Sequence, residues 1–74
     1  MNTEDSEIRF GIVAIEKGFV TPDQVIKALE IQVKENLASG THRRIGIILF
    51  KQGLITLKQI DEVIKSLEQQ RFNK

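Results

Sequence analysis

Residues 9–24 read RFGIVAIEKGFVTPDQ, and residues 44–59 read RIGIILFKQGLITLKQ. Set side by side, Arg9 falls on Arg44, Gly11 on Gly46, Ile12 on Ile47, Gly18 on Gly53, Thr21 on Thr56 and Gln24 on Gln59. The positions between them are apolar in both copies: Phe10 with Ile45, Val13 with Ile48, Ile15 with Phe50, Phe19 with Leu54, Val20 with Ile55. The match continues through Val25 with Ile60 and Leu29 with Ile64. A recurrence at this period marks one supersecondary unit used twice. Two copies can also present the same chemical groups to a single ligand or partner.

Each copy carries helix punctuation. Gly18 and Gly53 follow apolar-periodic runs and can take the positive φ of a helix C-terminal cap. Thr21 with Gln24, and Thr56 with Gln59, have the spacing of a capping box, and Pro22 suits a first helical turn. Val20 with Val25, and Ile55 with Ile60, are placed for a hydrophobic staple across those caps. These signals predict four helices. The first runs from about Thr3–Ser6 to Lys17 and the second to about Asn36. After a turn at Ala38-Ser39-Gly40, the third runs from about Thr41 to Gln52. The last runs from Leu57 to about Gln70, with 71–74 frayed. The expected fold is all-α: two pseudo-repeated helical hairpins in one small domain spanning 1–74. Repeat unit one covers about 9–32, a linker about 33–43, and unit two about 44–67.

Composition narrows the function. A chain of 74 residues is one domain, close to the size at which a single core becomes marginal, and it has no cysteine to staple it. Thiol chemistry and Cys-ligated zinc are excluded, and one histidine leaves little for a metal site. The residues 1–7 are polar and acidic rather than a signal peptide, and no run is apolar enough to span a membrane. The expected location is therefore cytoplasmic. Neither the lone His42 nor the serines form a recognisable nucleophile arrangement, so no catalytic residue, metal or cofactor is expected. Acids such as Glu16, Glu30, Glu35, Asp61 and Glu62 alternate with lysines and read as solvated faces.

Four features remain. First, the expected first and third helices are apolar on two sides: Ile8, Ile12 and Ile15 against Phe10, Val13 and Ala14, then Ile45, Ile48 and Leu49 against Ile47 and Phe50. One buried face needs only one stripe. Either the helices are sandwiched, or a face is kept for a partner. Second, Gly11 and Gly46 sit inside helices, each at a cost of about 1 kcal/mol against Ala. Close helix packing and close ligand approach both explain them. Third, Arg9 and Arg44 recur at one structural position. They either pair with a nearby carboxylate such as Glu7, Asp5 or Glu16, or grip a phosphate or guanine edge with parallel donors. Fourth, Gln32 lies on an apolar stripe whose repeat mate is Leu67, and an unpaired buried amide costs about 1–3 kcal/mol. It must be partnered, peripheral or ligand-facing. His42 and Arg43 break the repeat and form either an anion site at the third helix or a solvated loop.

The pattern Arg9-Phe10-Gly11, Gly18-Phe19-Val20, Val25, Leu29, Gln32, doubled in Arg44-Ile45-Gly46, Leu49-Phe50, Gly53-Leu54-Ile55, Ile60 and Ile64, resembles the tandem units of the MshEN domain family. That family forms N-terminal domains of type II secretion and type IV pilus assembly ATPases and occurs in other bacterial regulatory proteins. The resemblance implies a regulatory module binding cyclic di-GMP through Arg9, Phe10, Gly11, Gln32, Arg44, Ile45 and Gly46. The alternative it implies is the family's other use, docking onto a protein partner or an ATPase domain of a secretion or pilus machine, with no nucleotide. Three positions depart from the unit: Ala14 is small, Leu67 replaces a Gln, and the connection from Val33 to Arg43 is long. A helix-turn-helix DNA reading draws on His42-Arg43-Arg44. A net charge of +1 and the lack of a basic recognition helix oppose it.

Overall fold

The computed structural model describes the backbone of residues 3–72 and the side chains of residues 6–69. Four helices follow one another: α1 (Thr3–Glu16), α2 (Pro22–Ser39), α3 (Ile45–Lys51) and α4 (Leu57–Phe72). No strand occurs among the described residues.

The hairpin turns form as local chemistry demands. Gly18 (φ 78°) and Gly53 (φ 77°) occupy the left-handed region. Around them the backbone bonds repeat. Gly18 N–H donates to Ile15 C=O at 2.9 Å and Phe19 N–H to Ala14 C=O at 3.0 Å, while Gly53 donates to Phe50 at 2.9 Å and Leu54 to Leu49 at 3.0 Å. These paired bonds are the Schellman closure of a helix end. Both capping boxes close: Gln24 N–H donates to Thr21 Oγ1 and Gln59 N–H to Thr56 Oγ1, at 3.2 and 3.0 Å. The glutamines return the bond as Oε1 accepts from Thr21 N–H (2.9 Å) and Thr56 N–H (3.0 Å). The staple residues Val20, Val25 and Ile55 are buried.

Packing does not pair each helix with its expected hairpin mate: α2 lies on α3 and α4 on α1, while α1 also meets α3 and, least, α2. The core at these contacts is aliphatic, with Ile45, Ile48, Leu49 and Val63 fully enclosed and Phe10 at its edge. Only one apolar stripe of α1 and of α3 enters it. Phe10, Val13 and Ala14 are buried while Ile8 and Ile12 are exposed and Ile15 is half-buried against the core; Ile45, Ile48 and Leu49 are buried while Ile47 and Phe50 are exposed. The spare stripes are thus open, not sandwiched, because a domain this small encloses one layer of side chains.

Three boundaries differ from expectation. Residues 33–39, partly assigned to the linker, belong to α2, which ends on left-handed Gly40 (φ 74°). The third helix starts at Ile45 rather than near Thr41. Residues 41–44 are drawn back along α2 instead, because Arg43 grips Glu35 with Nε at 3.0 Å and Nη2 at 2.6 Å. At the other end α4 continues through Phe72 where fraying was expected. Asn73 and Lys74 lie outside the described residues.

Candidate functional site

Glu7 organises the junction of α1, α2 and α3. Its side chain is 4% exposed. Oε1 accepts from Ile45 N–H at 2.7 Å and from Gln32 Nε2 at 3.1 Å, and Oε2 accepts from Arg44 Nη1 at 3.3 Å. Burying a carboxylate is tolerable only with such donors around it. Arg44 is the N-cap residue of α3 and gives no side-chain cap. Glu7 supplies the missing one from a different helix, with the charge sign that a helix N-terminus favours.

This arrangement decides the fate of Gln32. Its amide nitrogen donates to Glu7 Oε1 and also to the Arg43 carbonyl at 2.8 Å, so both amide hydrogens are engaged inside the domain. Of the possibilities open in the sequence, it is the partnered one. No buried side-chain nitrogen or oxygen among the described residues lacks a hydrogen-bond partner.

Beside the junction lies an open groove of about 370 Å³ between α1, α3 and α4. Phe10, Ile47, Ile60, Ile64 and Leu67 form its walls, Gly46 lies against the Phe10 ring, and Ser6, Glu7 and Arg44 supply its polar rim. Leu67, the repeat mate of Gln32, makes that wall aliphatic. The Arg44 side chain is 70% exposed and spends one nitrogen on Glu7.

The seven expected binding residues therefore separate. Phe10, Arg44 and Gly46 meet at the groove. Gln32, Arg44 and Ile45 meet at Glu7, with the Ile45 side chain in the core. Gly11 points elsewhere: a Cβ there would lie 2.6 Å from Val25 Cγ1, so this glycine lets α1 close onto α2. Gly46 is similarly tight, with Phe10 Cζ 3.0 Å from its Cβ direction. Arg9 is exposed, and its side chain makes no ion pair or hydrogen bond among the described residues. Arg43 is committed to Glu35, whose carboxyl is held below its ordinary pKa chiefly by the hydrogen bonds from that guanidinium. His42 is exposed.

Glu7 is the carboxylate that Arg44 pairs with, one of the partners open in the sequence, while its role as organiser of the junction goes beyond that reading. The signal was present: Glu7, Phe10 and Ala14 share one helical face at i, i+3 and i+7, so an acid sits on the buried stripe much as Gln32 does.

An all-α domain with an apolar groove rimmed by one arginine is the class that the fold and site define. No protein-family model, curated protein or solved structure matches the chain. Among the described residues no helix is long and apolar enough to cross a membrane, and no group of three His, Asp or Glu is placed to hold a metal ion.

Proposed function

We propose that this domain is a non-catalytic docking module that receives an aliphatic segment of a protein partner in the groove between α1, α3 and α4. The observation that carries the reading is the groove wall itself. Ile47 and Ile64 stand partly open to solvent on apolar floor residues, while both amide hydrogens of Gln32 are engaged internally. Contiguous apolar surface of this kind marks interaction sites. Arg44, with donors left over, favours a partner whose apolar residues are followed by an acidic one. In the terms of the MshEN resemblance, the partner is an ATPase domain or another component of a secretion or pilus machine. The test is a photo-crosslinking residue placed at Ile47 or Ile64 in the native host. A discrete adduct from both positions, absent when the probe replaces Glu62 on the far face of α4, is expected. No adduct, or the same adduct from Glu62, overturns the reading.

A second reading, cyclic di-GMP binding, draws support from Arg9, which has no partner among the described residues, and from the exposed Arg44. Titrating cyclic di-GMP into isotope-labelled protein tests it. Saturable amide shifts at 9–11 and 44–46 are its expected signature, and their absence at millimolar nucleotide ends it.

A further inference from the structure

The outer face of α2 carries a second apolar surface that the groove does not use. Its inner face buries Val25, Ala28 and Gln32. On the outer face Ile26 is 55% exposed, Val33 54% and Leu37 83%. At about 100° per residue these three side chains fall within roughly 40° of arc, a narrow stripe along the helix. Leu29 flanks the stripe on one side, and Glu30 and Lys34 flank it on the other; together with Ile26 and Val33 they line a shallow open depression. Neither Glu30 nor Lys34 has an ion-pair partner among the described residues.

The stripe is self-complementary. The midpoint between Ile26 and Leu37 nearly coincides with the midpoint between Glu30 and Lys34, and with that between Leu29 and Val33. A two-fold axis through that point, perpendicular to the helix, brings an antiparallel copy onto the face. Ile26 then lies opposite the partner's Leu37, and Leu29 packs beside the partner's Val33. Because such an axis keeps side chains on the same flank, Glu30 faces the partner's Lys34. The two are within about 1.5 Å of one height along the helices, given the rise per residue. The same contact is made a second time by symmetry, as an isologous interface requires. An unrelated partner would demand no such palindrome of apolar and charged positions.

We infer that α2 pairs with α2 of a second copy of this chain in an antiparallel two-fold helix pair, held by the Ile26–Leu37 and Leu29–Val33 contacts and locked in register by two Glu30–Lys34 ion pairs. The surface is separate from the groove, which contains no α2 residue, so the dimer and the docking reading stand or fall independently.

Sedimentation equilibrium over micromolar to millimolar protein tests it. The wild-type mass is expected to rise from one chain to two. Leu37→Glu abolishes most of the dimer. Glu30→Lys and Lys34→Glu each place two like-charged pairs across the axis and weaken it about tenfold, while the double reversal restores it. All three positions are exposed, so circular dichroism should show unchanged helix in every variant. A wild-type monomer throughout, a dimer indifferent to these substitutions, or a double reversal as weak as either single one overturns the inference.

Discussion

Glu7 Oε1 accepts the backbone N–H of Ile45 at 2.7 Å across 38 residues of chain, so the first residue of α3 is capped by the middle of α1. That bond makes the short third helix dependent on the first. It also ties Gln32 and Arg44 to one carboxylate and sets the polar rim of the groove.

Replacing Glu7 by Ala leaves the Ile45 N–H and one Gln32 amide hydrogen without acceptors in a buried place. The expected cost is about 3 kcal/mol, which at this chain length lowers the melting temperature by more than 10 °C on the order-of-magnitude scaling for small domains. Glu7→Gln keeps Oε1 and forfeits the Arg44 ion pair, so it should cost about half as much. Urea unfolding of the two variants checks the order, and equal losses would show that charge, rather than the acceptor at Oε1, matters.

The two helical glycines should respond differently to alanine. At Gly11 the new methyl meets Val25 Cγ1 at 2.6 Å, and α1 must lift from α2; the steric loss outweighs the helix-propensity gain, for a net cost of about 1–3 kcal/mol. At Gly46 the neighbour is the tip of the Phe10 ring at 3.0 Å, beside an open groove into which the ring can shift. There the cost should stay below about 1 kcal/mol. Thermal unfolding that ranks Gly46→Ala as the worse variant would contradict this packing account.

Arg9→Ala should leave stability within about 0.5 kcal/mol of wild type, since an exposed side chain with no partner among the described residues contributes little. Arg44→Ala removes one of the contacts to Glu7 and should cost about 1 kcal/mol. Both proteins therefore remain folded, and loss of cyclic di-GMP shifts in either variant can be read as loss of a binding contact. Full affinity in the double variant would eliminate the nucleotide reading.

The Glu35–Arg43 tie predicts a pH response. Hydrogen bonding to Arg43 lowers the Glu35 pKa in the folded chain. A depressed carboxylate contributes stability above its unfolded pKa, and that contribution fades as pH falls through the folded value. The segment 41–44 should loosen in that acidic range. A carboxyl-carbon NMR titration should place Glu35 below the ordinary glutamate value, and Arg43→Ala should return it there.

How far the chain could be read depended on how local each interaction is. Thr21 with Gln24 and Thr56 with Gln59 bond over three residues, and both boxes close as their spacing foretells. Gly18 and Gly53 likewise end their helices by bonds within one turn. The third helix starts later than its position near Thr41 suggests because its cap comes from α1 and the residues between are held by Glu35, neither of which is local. For Gln32 the sequence raised the right question, a polar group on an apolar stripe, without the means to choose among its answers.

By itself, then, the sequence determined that this chain is all-helical, where three of its four helices begin, and which faces are apolar, since caps and periodicity act over a few neighbouring residues. Which apolar stripe is buried, why Gly11 is a glycine, that Gln32 and Glu7 satisfy each other, and that Phe10, Arg44 and Gly46 meet at one groove were decided only by the tertiary structure. Each of those outcomes depends on helices distant in sequence coming within a few ångströms of one another, a distance that no local pattern encodes.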